Sequence, residues 1–175
     1  QNSHVQVPCG KCPKCLKRKA SHWSFRLNQE TKVSSSACFI TLTYETPPLT
    51  ESGYQTLKKE DFQNFMKRLR KQTHNKLKYY ACGEYGGSTT RPHYHAIIFN
   101  LPHSFIEKPE KIEKTWTHGH IHITNSNQLT IGYVAGYVLK GGYTPTEEIN
   151  PETGEITPDS RQKEFSLMSK KMKKY

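Results

Sequence analysis

The strongest structural signal in this chain is RPHYHAIIF at residues 91–99, which predicts an interior β-strand. Successive side chains on a strand point to opposite faces, so His93 and His95 project from one face. Tyr94 and Ala96 then point from the other face, towards a helix or the core. The uninterrupted apolar run that follows them is typical of a strand inside a sheet.

Hydrophobic periodicity and turn residues predict the elements around this strand. The predicted strands cover residues 37–44, 77–83, 92–100 and 119–124, and a glycine turn at residues 86–88 joins the second and third as a hairpin. The predicted helices cover residues 18–31, 58–71, 105–116 and 127–139, and Thr56 is the expected cap of the second helix. This order predicts an α+β fold, with a mostly antiparallel sheet and flanking helices, in a single domain over residues 1–175.

Charge and composition indicate the class of partner. The chain has 175 residues with 26 Lys plus Arg against 15 Asp plus Glu, which gives a formal charge of +11. No run approaches the roughly 20 apolar residues of a membrane span, so we expect neither an integral membrane protein nor a membrane partner. The positive surplus favours nucleic acid, although a merely basic soluble protein fits the composition equally well. The charge is uneven, because residues 1–30 form a basic, cysteine-containing arm and helix, whereas residues 144–160 predict an exposed acidic loop.

Glu84, His93 and His95 form the first candidate site. Two imidazoles on one strand face can bind one divalent metal ion. In the predicted hairpin Glu84 ends the neighbouring strand, and a carboxylate with two imidazoles suits a Mg²⁺- or Mn²⁺-like ion that keeps open positions. Such an ion can polarise a phosphate. Taken singly, the histidines fit an ordinary strand end and Glu84 a surface turn, but together the three favour a metal site.

The segment YVAGYVLK at residues 133–140 forms the second candidate site. On a helix Tyr133 and Tyr137 share a face, and Lys140 falls within about 60° of it. A phenol is a poor nucleophile at its ordinary pKa of about 10, but a nearby cation and a metal-polarised phosphate would help it attack. Tyrosine can also hold a covalent intermediate. The alternative is a pair of packing tyrosines with a solvated lysine.

Cys9, Cys12 and Cys15 form the third candidate site, in which the three thiolates with His4 or His22 would hold a structural Zn²⁺. The alternative is free thiols in a basic arm that contacts DNA, because the motif lacks a second cysteine pair. The odd total of 5 cysteines argues against a secreted disulfide framework and favours a reducing compartment.

Basic runs at residues 11–19, 58–78 and 170–174 predict a path for DNA phosphates. The residues expected to contact DNA are Arg18, Lys67, Arg68, Lys71 and Arg91. The alternative for each run is an ordinary solvated surface.

Four motifs in order resemble the HUH endonuclease superfamily: FITLTY (39–44), GEYGG (83–87), RPHYH (91–95) and YVAGYVLK (133–140). With the opening VPCGKCPKCLKRKASHWSFRL (7–27) and the late FSLMSKK (165–171), the chain is similar to the replication initiators of gokushovirus-like microviruses. The resemblance covers roughly residues 7–171. One departure is the ending from Met172 to Tyr175, where the family pattern continues with glycines, so we expect a truncated chain.

That resemblance implies a five-stranded antiparallel sheet and a site-specific nickase that also rejoins DNA. His93 and His95 match the metal-binding histidines of the superfamily, and Glu84 occupies the usual place of a third ligand. The paired nucleophiles match Tyr133 and Tyr137, and the basic residue that closes that motif matches Lys140. The implied role is rolling-circle initiation at a single-stranded DNA origin, with a host helicase and polymerase as partners, in the cytoplasm of a bacterial host.

Two other functions compete with this one. A non-catalytic, single-stranded nucleic-acid-binding module of the RNA-recognition type would explain the charge but give the histidine and tyrosine pairs no role. An HUH transposase or relaxase would share the chemistry. Transposases of this type usually have one late tyrosine and relaxases an early one, whereas Tyr133 and Tyr137 form a late pair.

Overall fold

The structure is a computed structural model that describes residues 7–137, 148–149, 152–157 and 160–173. The helices are α1 (Pro13–Val33), α2 (Lys59–Thr73), α3 (His103–Glu107), α4 (Glu110–Glu113), α5 (Gln128–Gly136) and a final 3₁₀ helix (Lys170–Lys173). The strands are β1 (Ala37–Tyr44), β2 (Lys78–Tyr85), β3 (Pro92–Phe99), β4 (Gly119–Asn125), β5 (Glu148–Ile149), β6 (Ile156–Thr157) and β7 (Phe165–Met168). Within the described ranges, none of the helices has the length and apolar character needed to cross a bilayer.

Five strands form one sheet in the order β4-β1-β3-β2-β7, and every neighbouring pair is antiparallel. β3 therefore lies at the centre, as its apolar run predicts. The predicted α+β fold, a five-stranded antiparallel sheet with flanking helices, is confirmed.

One face of the sheet packs against α2. The apolar residues of α2 recur at helical spacing, and Phe62, Phe65 and Leu69 are fully buried against the sheet. The alternating pattern of β1 supplies Ile40 and Leu42 to the same core. Tyr94 and Ala96 of β3 also lie in this core, as predicted from the strand alternation.

The opposite face packs against α1 and α5. Leu27 of α1 and Val134 of α5 are fully buried in a second core beneath these helices. The buried Glu30 of α1 pairs with Lys78 at 2.6 Å, and the Trp23 and Tyr80 rings lie 4.8 Å apart. Going backwards along α1 thus follows β2 forwards, so the N-terminal half of α1 extends towards the end of β2 that carries Glu84.

A close contact explains the glycine in β2. Gly83 is paired with Phe165 of β7, and a Cβ at Gly83 would lie 2.8 Å from Cζ of the Phe165 ring. Only glycine leaves room for that ring. This contact fixes the edge strand β7 beside β2, immediately next to Glu84.

Several predicted boundaries need correction. The helix predicted at 105–116 is instead the two short helices α3 and α4, because Pro109 interrupts it. Thr56 does not cap α2, which follows Lys58 without a side-chain cap, and its hydroxyl instead accepts the N–H of Gln162 at 2.9 Å. The first helix begins at Pro13 rather than at residue 18.

The acidic segment also differs from its prediction as a loop. Its described residues contain the short hairpin of β5 and β6, with Gly154 at φ +70° in the turn between them. Ile149 and Ile156 are exposed, as expected for a surface segment. The helix predicted over 127–139 is α5, and residues 138–139 lie outside the described residues.

Candidate functional site

The register of the central hairpin brings the three predicted metal ligands together. Glu84 is paired directly with His93 across β2 and β3, and His95 lies two residues further on the same face. The Nε2 atoms of His93 and His95 lie 2.7 Å and 3.0 Å from Glu84 Oε1. The three ligand atoms lie within 4.8 Å of one another, at a site that is largely buried.

A second hydrogen bond on each imidazole fixes its orientation. Nδ1 of His93 donates to the carbonyl oxygen of Arg91 at 2.9 Å, and Nδ1 of His95 lies 3.0 Å from the hydroxyl oxygen of Thr41. Both Nε2 atoms therefore point at Glu84. Such outer contacts orient histidine ligands and are typical of metal sites.

The three ligands also shift one another's protonation. Burial raises the pKa of Glu84, but hydrogen bonds from His93, His95 and Tyr137 outweigh it and hold that pKa well below its usual range. Burial lowers the pKa of His93, but the hydrogen bond to Glu84 outweighs it, so the net shift is upward. Protons thus occupy the place of a cation, which identifies the cluster as a position that favours positive charge.

The two tyrosines lie against this cluster. A capping box between Asn127 and Thr130 starts α5, with each residue accepting the other's backbone N–H at 2.9 Å. Tyr133 then donates its hydroxyl proton to Glu84 Oε1 at 3.3 Å, and the Tyr137 hydroxyl donates to that of Tyr133. The tyrosine and metal-ligand predictions therefore converge on one point.

Ring contacts hold the tyrosines over the histidines. The His95 ring centre lies 5.3 Å from that of Tyr133 and 6.1 Å from that of Tyr137. Phe39 of β1 stacks on the other side of His95 at 5.4 Å. Burial, followed by the hydrogen bonds with Glu84 and Tyr133, raises the pKa of Tyr137 far above its usual range. Tyr133 is more accessible, with 47% of its surface exposed.

The predicted basic residues occupy different places. Lys140 lies outside the described residues. Lys67, Arg68 and Lys71 belong to α2, which covers the sheet face opposite to the metal-ligand cluster. Arg68 donates from Nε to the carbonyl oxygen of Thr115 at 2.7 Å, so part of its guanidinium has a structural partner.

Two predicted DNA contacts lie nearer to the site. Arg91 is two residues before His93, and its guanidinium donates to the carbonyl oxygens of Tyr44 and Glu45, which fixes the approach to β3. Arg18 is exposed on the N-terminal half of α1. DNA contact stays a prediction for all five basic residues.

The three N-terminal cysteines form a second compact cluster. Cys9 Sγ lies 3.9 Å from Cys15 Sγ, and all three sulfurs lie within 4.8 Å of one another. Hydrogen bonds from backbone N–H groups, that of Lys11 first, lower the pKa of Cys9 to about 7. Of the two proposed fourth ligands, His22 lies two helical turns after Cys15, about 10 Å along α1, whereas His4 lies outside the described residues.

Sequence reasoning missed further residues on the ligand-bearing face of the sheet. Thr41 orients His95, and His120 and His122 of β4 are paired with Thr43 and Thr41, so both histidines lie on the face of His93 and His95. Both are exposed. The alternation in GHIHIT (119–124) is the signal that could have found them.

Protein-family comparison matches residues 37–142, more than half of the chain, to the replication-associated protein ORF2 family. The chain belongs to this family. The matched span includes β1 to α5, and therefore the metal-ligand cluster and both tyrosines.

Curated relatives of this replication-associated family come from phages and a Spiroplasma virus. The chain is 33% identical over 153 residues to replication-associated protein VP4 of Bdellovibrio phage phiMH2K, covering 76% of this chain and 48% of that protein. It is 32% identical to replication-associated protein ORF2 of Spiroplasma virus 4, covering 77% and 48%, and 27% identical to replication-associated protein ORF4 of Chlamydia phage 1, covering 77% and 38%. The chain thus spans about half the length of the first two relatives, and less of the third.

Among solved structures, the chain resembles the hypothetical protein ORF119 of Sulfolobus islandicus rod-shaped virus 1. The TM-score is 0.43 at 18% identity, over 71% of this chain and 92% of that chain.

Proposed function

We propose that this chain contains the nuclease centre of a rolling-circle replication initiator that nicks and rejoins single-stranded DNA at an origin. The observation that supports this most strongly is the convergence of the Tyr133 and Tyr137 hydroxyls on Glu84, beside His93 and His95. Nucleophiles and a ligand set for a metal ion face one point, which is the arrangement that phosphoryl transfer needs. A purely structural role for the tyrosines leaves this convergence unexplained.

The ligand set suits a Mg²⁺ or Mn²⁺ ion. Two ligands at right angles, each about 2.1 Å from such an ion, lie about 3 Å apart. Glu84 Oε1 lies 2.7 Å and 3.0 Å from the two imidazole nitrogens, which agrees with that spacing. Glu84, His93 and His95 would hold the ion, which when bound would polarise the scissile phosphate and stabilise transition-state charge.

The tyrosines supply the nucleophile. The attacking phenol oxygen forms a bond to phosphorus while the bond from phosphorus to the 3′ oxygen breaks. A 5′-phosphotyrosine and a free 3′-hydroxyl result, with the phenol proton balanced by the proton that the 3′ oxygen gains. Because the ester conserves the energy of the bond, a later attack by a 3′-hydroxyl rejoins the strand without ATP. The free 3′-hydroxyl would prime synthesis by a host polymerase, behind a host helicase, in the bacterial cytoplasm.

The two tyrosines are not equivalent in the structure. Tyr133 is exposed and touches Glu84 directly, whereas Tyr137 is partly buried and its raised pKa makes its hydroxyl hard to ionise. We therefore expect Tyr133 to make the first cut and Tyr137 to cleave the regenerated origin. Lys140 would neutralise charge near the phosphate, as the HUH resemblance implies.

Basic residues would hold the strand through its phosphates. The N-terminal half of α1 extends towards the Glu84 end of β2, so Arg18 lies on the side from which a strand could enter the site. Arg91 lies beside His93 at the same end of the sheet. Lys67, Arg68 and Lys71 would contact DNA only where it passes onto the opposite face.

Covalent trapping tests this function. The protein is incubated with a library of single-stranded oligonucleotides and Mn²⁺, and covalent adducts are separated on a denaturing gel. We expect Tyr133→Phe to lose the first adduct, Tyr133→Phe with Tyr137→Phe to lose all adducts, and chelator to prevent them. Tyr54→Phe is the matched control, because its hydroxyl bonds the Ile149 carbonyl in another part of the molecule.

Two results would contradict the proposal. Adducts that survive the double tyrosine change would remove the nucleophile assignment. Oligonucleotide binding without any adduct in the wild type would favour the non-catalytic binding module. Sequencing the trapped strands also separates an initiator, which cuts one origin sequence, from a transposase or relaxase acting at its own ends.

A further inference from the structure

We propose that Cys9, Cys12 and Cys15 form a structural Zn²⁺ site that fastens residues 7–12 to the start of α1. The spacing of the sulfurs supports it. Thiolates placed tetrahedrally about 2.3 Å from Zn²⁺ lie about 3.8 Å apart. Cys9 Sγ and Cys15 Sγ lie 3.9 Å apart, and the third sulfur lies within 4.8 Å of both.

The backbone around the sulfurs is arranged for negative charge. The N–H of Cys12 points at Cys9 Sγ, with a nitrogen–sulfur distance of 3.3 Å. Cys12 is also the residue that precedes α1, whose N-terminus has partial positive charge. Three thiolates and one Zn²⁺ have a net charge of −1, and Lys14, Arg18 and Lys19 line the same recess, where they offset it.

The segment needs such a cross-link because it buries nothing. Residues 7–12 are all exposed, and Val7 alone leaves 81% of its surface in solvent. Hydrophobic burial therefore cannot order this segment, whereas a metal ion bound by ligands on both sides of Pro13 can. A Cys9–Cys15 disulfide is the competing cross-link, but its sulfurs would lie about 2.05 Å apart, and it would leave Cys12 unused.

The fourth position of the ion is not supplied by His22. The distance along α1 between Cys15 and His22 is too large for both to bind one ion. The site thus has three ligands among the described residues 7–137, and its fourth ligand is water or a group outside them.

Metal analysis and Co²⁺ spectroscopy test the site directly. Protein purified under reducing conditions should contain about one equivalent of Zn²⁺ by mass spectrometry. After removal of zinc, added Co²⁺ should give the intense thiolate-to-cobalt charge-transfer absorption. Cys9→Ser with Cys12→Ser and Cys15→Ser should abolish both signals. His22→Ala should leave both unchanged.

Two controls make the result specific. His93→Ala with His95→Ala removes the other ligand cluster and should leave the cobalt–thiolate absorption intact, so failure of the nickase proposal does not affect this test. Trypsin should cut wild type more slowly at Lys11 and Lys14 with zinc than after chelation, and the triple cysteine variant should be cut fast in both conditions.

Several outcomes would overturn the proposal. They are zinc content far below one equivalent together with no cobalt–thiolate absorption, equal binding by the triple cysteine variant, or loss of metal in His22→Ala. Titration of only three free thiols in the unfolded, non-reduced protein, out of 5 cysteines, would assign the cross-link to a disulfide instead.

Discussion

Gly132 lies one residue before the exposed Tyr133, and replacing it should separate stability from activity. A Cβ at Gly132 would meet no described atom within 4 Å, so alanine fits without a clash. Glycine inside a helix costs about 1 kcal/mol relative to alanine. Gly132→Ala should therefore raise the free energy of unfolding by about 1 kcal/mol, and the melting temperature by about 2–4 °C for a chain of this size.

The protein thus keeps a glycine that its own fold does not need. Glycine is the usual residue where a ligand backbone must approach closely. If single-stranded DNA passes over this part of α5 to reach Tyr133, an added methyl group displaces the scissile phosphate. A misplacement of about 1 Å can cost about 100-fold in rate. We expect Gly132→Ala to slow adduct formation at least ~10-fold, and Gly132→Leu to slow it further without loss of helix.

The assay pairs two measurements on each variant. Urea unfolding gives stability, and single-turnover adduct formation with the trapped origin strand and Mn²⁺ gives the chemical rate. A more stable Gly132→Ala protein that forms adducts at the wild-type rate would refute the inferred DNA approach. A less stable one would refute the open space at this position.

Three further predictions concern the sheet beneath the tyrosines. Glu84→Gln keeps the side-chain size but removes its charge, so Mn²⁺ affinity measured by titration calorimetry should fall at least ~10-fold while the circular dichroism spectrum is retained; unchanged affinity would remove Glu84 from the ligand set. Thr41→Val removes the partner of His95 Nδ1 and should lower Mn²⁺ affinity about 10–100-fold, whereas an equal affinity would show that Thr41 does not orient the ligand. Gly83→Ala places a Cβ 2.8 Å from the Phe165 ring and should cost about 1–3 kcal/mol in urea unfolding, with partial recovery on adding Phe165→Leu; a neutral Gly83→Ala would contradict the close contact.

Local sequence patterns predicted the parts of the fold that depend on local physics. β1 covers residues 37–44 as predicted, because its strict alternation matches burial on one face. His93 and His95 share a face because strand geometry allows nothing else. By contrast, the prediction of a helix over 105–116 followed hydrophobic spacing and overlooked Pro109, whose ring and missing N–H interrupt a helix.

Tertiary arrangement accounts for the rest of the differences. The strand β7 has four residues, too few for a periodic signal, and its place depends on the fit of Phe165 over Gly83. The sequence likewise does not state which sheet face a helix covers. The basic residues of α2 were therefore grouped with the DNA path, although α2 packs on the face opposite to the metal-ligand cluster. Thr41 escaped notice for the same reason, since its partner His95 lies on another strand.

The residue between the two histidines explains how an exposed site can remain rigid. Tyr94 points away from the ligands into the core beneath α2, where its hydroxyl donates to the Lys58 carbonyl at 2.7 Å and accepts the Lys58 N–H at 3.1 Å. Tyr44 on the neighbouring strand donates to Asp61 of α2 at 2.7 Å. The backbone that presents His93 and His95 is thus fixed from behind by buried hydrogen bonds to the start of α2. Because ligands held on packed strands need little reorganisation when an ion binds, the alternation of two histidines with one large tyrosine serves the site as much as the histidines do.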